Sequence, residues 1–368
     1  MNIEQQGLIF DSDKAEQRKK VCTFTSLFKH SSGRIFSTFR IGSRKDSTDG
    51  NGVIAEFVNG KWKIIFSNFQ SEFDGKKGDI KAVELFERPD GGLSCLLSWF
   101  DCSKSSKLYD AASDTILPGN LIFADSYDMG KTWTNYRIID TQSLPGPALT
   151  GPILKLRAGY LIFFETYGPE KNGKVSCHTA RALFSKNGTD FYKIITVARH
   201  PEDTLYFWDQ RNTFDPYSGK IISMFWTYDR KNEKDTDIHI AQGDPESLIW
   251  TVPVSTGIKG QIAAPISLGD GRILCFYVHR HYPGSMRLIV SEDKGKTWKH
   301  DEELIIYQNS TEKSTQQKIS YAQYWEDMNR WNFGHPSGML LDKNYVLLSY
   351  YAGNNASSLS ARYSIISI

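Results

Sequence analysis

Ser126–Trp133 reads SYDMGKTW, and 165 residues later Ser291–Trp298 reads SEDKGKTW. In both, an Asp at the third place can accept backbone N–H bonds, a Gly at the fifth can take positive φ, and the closing Trp can drop into an apolar seam. Each octamer is therefore read as a hairpin turn with an aromatic anchor. Weaker versions stand between them, SKNGTDFY at Ser185–Tyr192 and GDPESLIW at Gly243–Trp250. The anchors Trp133, Tyr192, Trp250 and Trp298 are 59, 58 and 48 residues apart, and extending the period backward reaches Trp62 in VNGKW.

Units of this length, each with four short strands and one recurring turn, predict an all-β fold, a six-bladed β-propeller of four-stranded antiparallel blades. The other half of the period is as regular: an apolar run, a turn and a second apolar run recur in AVELFERPDGGLSCLLSWFD, GQIAAPISLGDGRILCFYVHRH and GHPSGMLLDKNYVLLSYYAG. These are read as the two inner strands of a blade. The blades are expected at 20–68, 69–140, 141–198, 199–256, 257–308 and 330–368, within a single domain spanning 1–368. The last supplies only three strands, so an N-terminal strand around GLIFDS (Gly7–Ser12) is expected to complete it and leave no free edge. The stretch between the fifth and sixth units is too long for a turn and is expected beside the mouth of the pore.

Composition agrees: aromatic residues make up 13% of the chain and Gly reaches 29 residues, a mix that favours many strands joined by tight turns. With 44 Lys and Arg against 42 Asp and Glu, and no basic stripe, neither nucleic acid nor a membrane surface is expected as a partner. The five cysteines show no CxxC or Cys/His spacing and are read as reduced and mostly buried. MNIEQQGLIF has no basic stretch followed by an apolar one, so the chain as given reads as cytoplasmic, or as secreted or periplasmic if a leader has been trimmed.

In such a fold, the starts of the first and third strands and the end of the second share one face, opposite the octamer turns. That face gathers Arg40, Trp99, Asp101, Glu165, Tyr167, Arg181, Asp209, Gln210, Arg211 and Tyr228, followed by Gln261, His279, His281, Arg287, His335 and Tyr351. Aromatic planes, carboxylates and cations converging on one pocket suit an oligosaccharide or glycoconjugate: rings stack on C–H faces, charged groups bind hydroxyls, and an acid protonates the glycosidic oxygen. Asp209 and Arg211 read equally well as a buried brace. His279 and His281 read as a pair aimed at the pocket or as a structural pair. Without a third close ligand they imply no metal, and no cofactor is expected.

The octamer S-x-D-x-G-x-T-W resembles the Asp box of the sialidase (neuraminidase) superfamily, whose six-unit organisation would cover the whole chain. The resemblance extends to FRIGSRKDSTDG (39–50), where Arg40 and Asp46 look like a strand arginine and the loop Asp that serves those enzymes as general acid. Sialidases also grip a carboxylate with three arginines. Here VCTFTSL (21–27) has none, TDIHIAQ offers His239, and only Arg287 looks like one of the three. His335 stands where the nucleophilic Tyr is expected, with Arg181 or Tyr351 as replacements in space. The resemblance thus implies a sialidase-like glycoside hydrolase acting on a terminal sugar other than a standard sialoside. Asp46 would be its acid, and His335, Glu165 or Asp209 the base or nucleophile partner. Two rivals stand beside it. One is a uronic-acid polysaccharide lyase with His281 or His335 as base, Arg287 or Arg211 neutralising the carboxylate and Tyr351 as acid. The other is a non-catalytic carbohydrate-binding propeller.

Overall fold

The computed structural model describes residues 1–105, 108–110, 115–166, 178–309 and 319–368. Tyr167 and Cys177 lie outside the described residues. Among those described, antiparallel strands carry nearly all the regular structure, with one α-helix, α1 (Tyr321–Met328).

The strands fall into successive, mainly antiparallel groups, the first and last of which are joined into one eight-stranded sheet by a parallel pairing of Val21 with Leu359. The first holds Val21–Lys29, Ile35–Gly42, Asn51–Val58 and Lys61–Ser67, and the second Lys76–Glu87, Leu93–Asp101, Gly119–Ser126 and Thr134–Ile138. The third starts with the short pieces Ala148–Leu149 and Leu154–Leu156 and continues through Gly159–Thr166, Thr179–Ser185 and Phe191–Ala198. Leu205–Asp215, Lys220–Asp229, His239–Gly243 and Val254–Ser255 make the fourth, and Ala263–Ser267, Ile273–His279, Gly284–Ser291 and Leu304–Asn309 the fifth. The last contains Phe333–Asp342, Tyr345–Asn355 and Ser358–Ser367, and its fourth strand is N-terminal: Asn2–Phe10 pairs antiparallel with Ser358–Ser367, from Asn2 opposite Ser367 to Phe10 opposite Ala361. Opening strands of successive groups touch one another in order, and Val21–Lys29 touches Phe333–Asp342 of the last group.

Burial explains which strands lie inside. Lys76–Glu87 is buried on both faces from Gly78 to Phe86, because a strand wedged between neighbouring sheets has no solvent side. Lys61–Ser67, at a group's outer edge, is mostly exposed or half-buried. The apolar core lies between groups, as where Ile266, Leu274 and Phe276 meet Val346, Leu348 and Tyr350.

The two clear octamers fold alike. Asp128 Oδ1 accepts from the Lys131 and Thr132 amides at 3.0 and 2.9 Å, and Asp293 Oδ1 accepts from Lys296 and Thr297 at 3.0 and 2.8 Å. Gly130 and Gly295 take φ of 88° and 85°, and their amides donate to Ser126 Oγ and Ser291 Oγ at 2.8 Å in both cases. Trp133 and Trp298 are buried. No disulfide joins the described cysteines: Cys22, Cys95 and Cys275 are buried, and Cys102 is half-buried. No helix among the described residues is long and apolar enough to cross a membrane.

Candidate functional site

Three opening strands break register where each carries a residue of one cavity. In the first group the ladder slips between Thr23 and Ser26, in the fourth between Trp208 and Arg211, and in the last between Gly334 and Ser337. Each slip is a bulge holding a non-glycine residue in the left-handed region: Phe24 at φ 54°, Asp209 at 48° and His335 at 50°. A bulge re-aims the side chain it carries. All three line one cavity of about 440 Å³, a volume suited to a small ligand.

Aromatic and aliphatic side chains form most of its wall: Leu108, Tyr109, Trp226, Ile262, Trp325, Met328, Trp331 and Tyr351. Trp325, Met328 and Trp331 belong to the segment around α1, which lines the cavity. Ser320 caps the helix, its side chain accepting from the Gln323 amide. Tyr109 and Trp325 stack with centroids 5.0 Å apart.

The 43–50 loop adds Lys45 and Asp46 to the polar lining. Lys45 Nζ donates to the carbonyls of Met328, at 2.9 Å, and Trp331, and lies 5.0 Å from the centre of the Tyr351 ring. Asp46 pairs with Arg44 at 3.3 Å and accepts from Asn329 Nδ2 at 3.1 Å. The loop therefore reaches the cavity braced against the α1 segment.

Two titratable groups are held away from their ordinary state. Burial pushes the Asp209 carboxyl up to about 7; Arg211, 3.6 Å away, opposes the rise and the Glu165 carboxylate adds to it. Glu165 Oε2 accepts from the Asp209 amide at 3.0 Å and lies 2.8 Å from His178 Nε2. His335 is shifted well downward by burial and by Arg211, Lys45 and Arg280. Its Nδ1 is 3.1 Å from Arg211 Nη2. A guanidinium can only donate, so Nδ1 accepts and the proton of the neutral ring sits on Nε2. This corrects the expected role of His335 as base: its one lone pair is engaged, and it can offer a ligand only an N–H.

Several expected contacts lie elsewhere. Arg40 is fully buried and forked onto Asp79 at 3.0 and 2.8 Å, with its remaining donors on the carbonyls of Arg44 and Ser47. It roots the loop that carries Asp46. Trp99 is a core residue whose indole donates to Ser71 O at 2.9 Å, and Asp101 pairs with Lys76 at 3.2 Å. Arg181 Nε holds Thr166 Oγ1 at 3.0 Å, and Gln210 bridges the carbonyls of Phe164 and Arg181 at 2.9 Å each. Arg211 stands behind His335, bonded to Thr150 O. Tyr228 is buried, stacked on Trp208 at 4.9 Å, with its hydroxyl on Ile319 O. Gln261 is buried behind Arg280.

Arg287 is committed to Glu303 at 2.7 Å and does not line the cavity. His279, pushed down to about 4 by burial with Arg287 and His281 adding to the shift, faces His281 at 5.3 Å, and His281 is exposed. Strand alternation explains the miss: the residue between them, Arg280, is the one that reaches the cavity, its guanidinium 4.2 Å from the Trp331 ring and donating to Phe333 O at 2.7 Å. Among the described residues no cluster of three or more His, Cys, Asp and Glu could hold a metal. The cavity thus joins Asp46, Asp209, His335 and Tyr351, all anticipated, with Thr23, Phe24, Trp226, Arg280 and the α1 segment.

No family model matches this sequence, and no curated protein matches it. Solved structures do resemble it. A protein of unknown function from Dyadobacter fermentans superposes with a TM-score of 0.73 at 18% identity, covering 100% of this chain and 99% of that one. A Hadza microbial sialidase gives 0.67 at 12% identity over 99% of this chain and 68% of its own. The α-L-arabinanase of Penicillium chrysogenum, solved with arabinobiose, gives 0.64 at 13% identity over 100% and 99%. The chain shares the all-β fold of these proteins.

Proposed function

We propose that the protein is a six-bladed β-propeller glycoside hydrolase, completed by its N-terminal strand, that takes the terminal sugar of a glycan into this cavity. The observation that carries the reading is a pair of carboxylates in opposite environments on one aromatic wall. Asp209 is held towards its protonated form, and Asp46 is ion-paired. Two carboxyl groups lining one cavity, one of them raised towards its protonated form by burial, can divide the work of acid and base or nucleophile in glycosidic cleavage. Asp209 then donates the proton, and Asp46 acts as the anion, the reverse of the roles expected from the loop motif. Burial holds Asp209 towards its protonated form against the pull of Arg211, and repulsion from Glu165 adds to the burial effect. Trp226, Trp331 and Tyr351 offer faces for a sugar ring.

The sugar is not a standard sialoside. Arg287 is engaged with Glu303, and Lys45 and Arg280 already hydrogen-bond backbone carbonyls. Similarity in fold to a sialidase and an arabinanase supports a glycan substrate. A lyase fits less well, since His281 lies outside the cavity and His335 has its lone pair on Arg211.

A panel of chromogenic glycosides spanning pentofuranosides, hexopyranosides, uronides and sialosides tests the reading. Release is expected from a neutral glycoside, and Asp46→Asn and Asp209→Asn should each lower it roughly 10²–10⁴-fold without loss of fold. Binding of glycans with no release from any glycoside would leave a carbohydrate-binding protein instead.

A further inference from the structure

Asp235 lies outside the cavity and was not singled out by its sequence, yet two cavity side chains depend on it. Trp226 Nε1 donates to Asp235 Oδ1 at 2.6 Å. Gln261 Nε2 donates to Asp235 Oδ2 at 2.9 Å, and the same amide's Oε1 accepts from Arg280 Nε at 3.1 Å. Trp226 and Arg280 both line the cavity. One carboxylate thus fixes the plane of an indole and, through an oriented amide, the direction of a guanidinium.

Chemistry sets the polarity of this chain. An ionised carboxylate can only accept, so both neighbours must present N–H groups to it. With its NH2 turned towards Asp235, the Gln261 amide has its oxygen facing Arg280. An Asn at 235 would break that logic, because its own NH2 would face the NH2 of Gln261. The amide would then turn over and confront Arg280 with a donor. Burial pushes the Asp235 carboxyl up, and Tyr324, Gln261, Trp226 and His281 all oppose the rise by favouring its charged form.

We propose that Asp235 is the positioning residue for Trp226, which it holds directly, and for Arg280, which it orients through Gln261, the aromatic platform and the cation of the cavity wall. The inference rests on the hydrolase reading for its ligand, and its test separates the two. Asp235→Asn should raise KM for the best glycoside of the panel about tenfold with kcat changed less, the signature of lost ground-state binding. Asp235→Asn with Gln261→Glu should restore it: Asn Oδ1 accepts from Trp226, Asn Nδ2 donates to the new carboxylate, and that carboxylate accepts from Arg280. A purely structural role predicts no such rescue.

An activity-free readout runs in parallel on nitrogen-labelled protein. The Trp226 indole N–H and Arg280 Nε–H resonances, assigned through Trp226→Phe and Arg280→Lys, should both shift in Asp235→Asn, and the Arg280 signal should return in the double variant. Should Asp235→Asn fail to fold, Gln261→Ala tests the Arg280 arm alone. An Arg280 resonance unmoved by either single variant, or a KM unchanged in a folded Asp235→Asn, would overturn the proposal. No turnover of any glycoside, with the resonances moving as stated, would reject the hydrolase reading and leave the positioning chain standing.

Discussion

Replacing Arg40 should show what that residue is for. Arg40 and Asp79 are both fully buried, and their fork is backed by three more donations from the guanidinium, to Arg44 O at 3.0 Å, Ser47 O at 2.8 Å and Ser47 Oγ at 3.0 Å. Asp79 also accepts from the Gly50 amide at 2.8 Å and meets Lys81 at 3.3 Å. Space is as tight as the bonding: a Cβ on Gly50 would lie 2.1 Å from Arg40 Cζ. Removing one partner of a buried ion pair costs about 3–5 kcal/mol, because the other charge stays buried.

In Arg40→Met, Lys81 still faces Asp79, so the lower end of that range is expected. Asp79→Asn leaves Arg40 and Lys81 together without a counter-charge and belongs at the upper end. Burial and Arg40 already push Lys81 down to about 8, with Asp79 opposing them. At an unfolding entropy of about 2.1 cal/mol/K per residue, a chain of this length loses roughly 4 °C of Tm for the milder variant and roughly 6 °C for the harsher. Calorimetry at pH 7 reads this directly. Because Arg40 donates to the Arg44 and Ser47 carbonyls of the 43–50 loop, the proposed glycosidase activity should fall alongside. An Arg40→Met protein that melts within about 1 °C of wild type and shows only a raised KM would mean that the guanidinium serves the ligand.

Removing residues 1–11 should sharply lower Tm in a thermal melt, since it strips Ser358–Ser367 of one of its two neighbouring strands and uncovers Tyr363, against which Gly7 packs; a truncated chain melting like the full one would refute this. Trp298→Ala should cost about 3–5 kcal/mol in denaturant unfolding while the folded fraction keeps its activity, because the octamers lie away from the cavity. Asp209→Asn should cut activity yet gain stability over wild type as pH rises. A carboxyl raised from 3.8 to about 7 contributes stability that is fully present below 3.8 and lost through 7, so the gap should open between those values and stay flat if Asp209 is not shifted.

The repeat was legible because its turn chemistry is local. Asp, Gly and Trp at fixed offsets make the same turn wherever they fall, and the strand groups follow from that period. Asp46 and the α1 segment were legible for a similar reason, one through a loop motif and the other through its excess length. What was lost depends on partners distant in sequence. Arg40 has the residue type of a ligand contact, but Asp79, on another group, captures it. Likewise, Arg287 is claimed by Glu303. Arg280 was passed over between two histidines because the strand's facing could not be fixed without its register, and one step of register exchanges the faces.

The bulges carry this furthest. Nothing in CTFTS, FWDQR or FGHPS marks its middle residue as left-handed, and a bulky non-glycine residue there costs of order 1–3 kcal/mol. Three such costs, each beside the same cavity, are not tolerated for stability, since a regular strand would bury the same surface without them. They persist because the ladder on either side fixes them, and their effect is common to all three: Phe24, Asp209 and His335 turn into one space. Local preference is overruled where a fold builds a site. The cavity is therefore a feature of how the opening strands meet, and the loop and the α1 segment, joined through Lys45, Asp46 and Asn329, complete walls that the bulges begin.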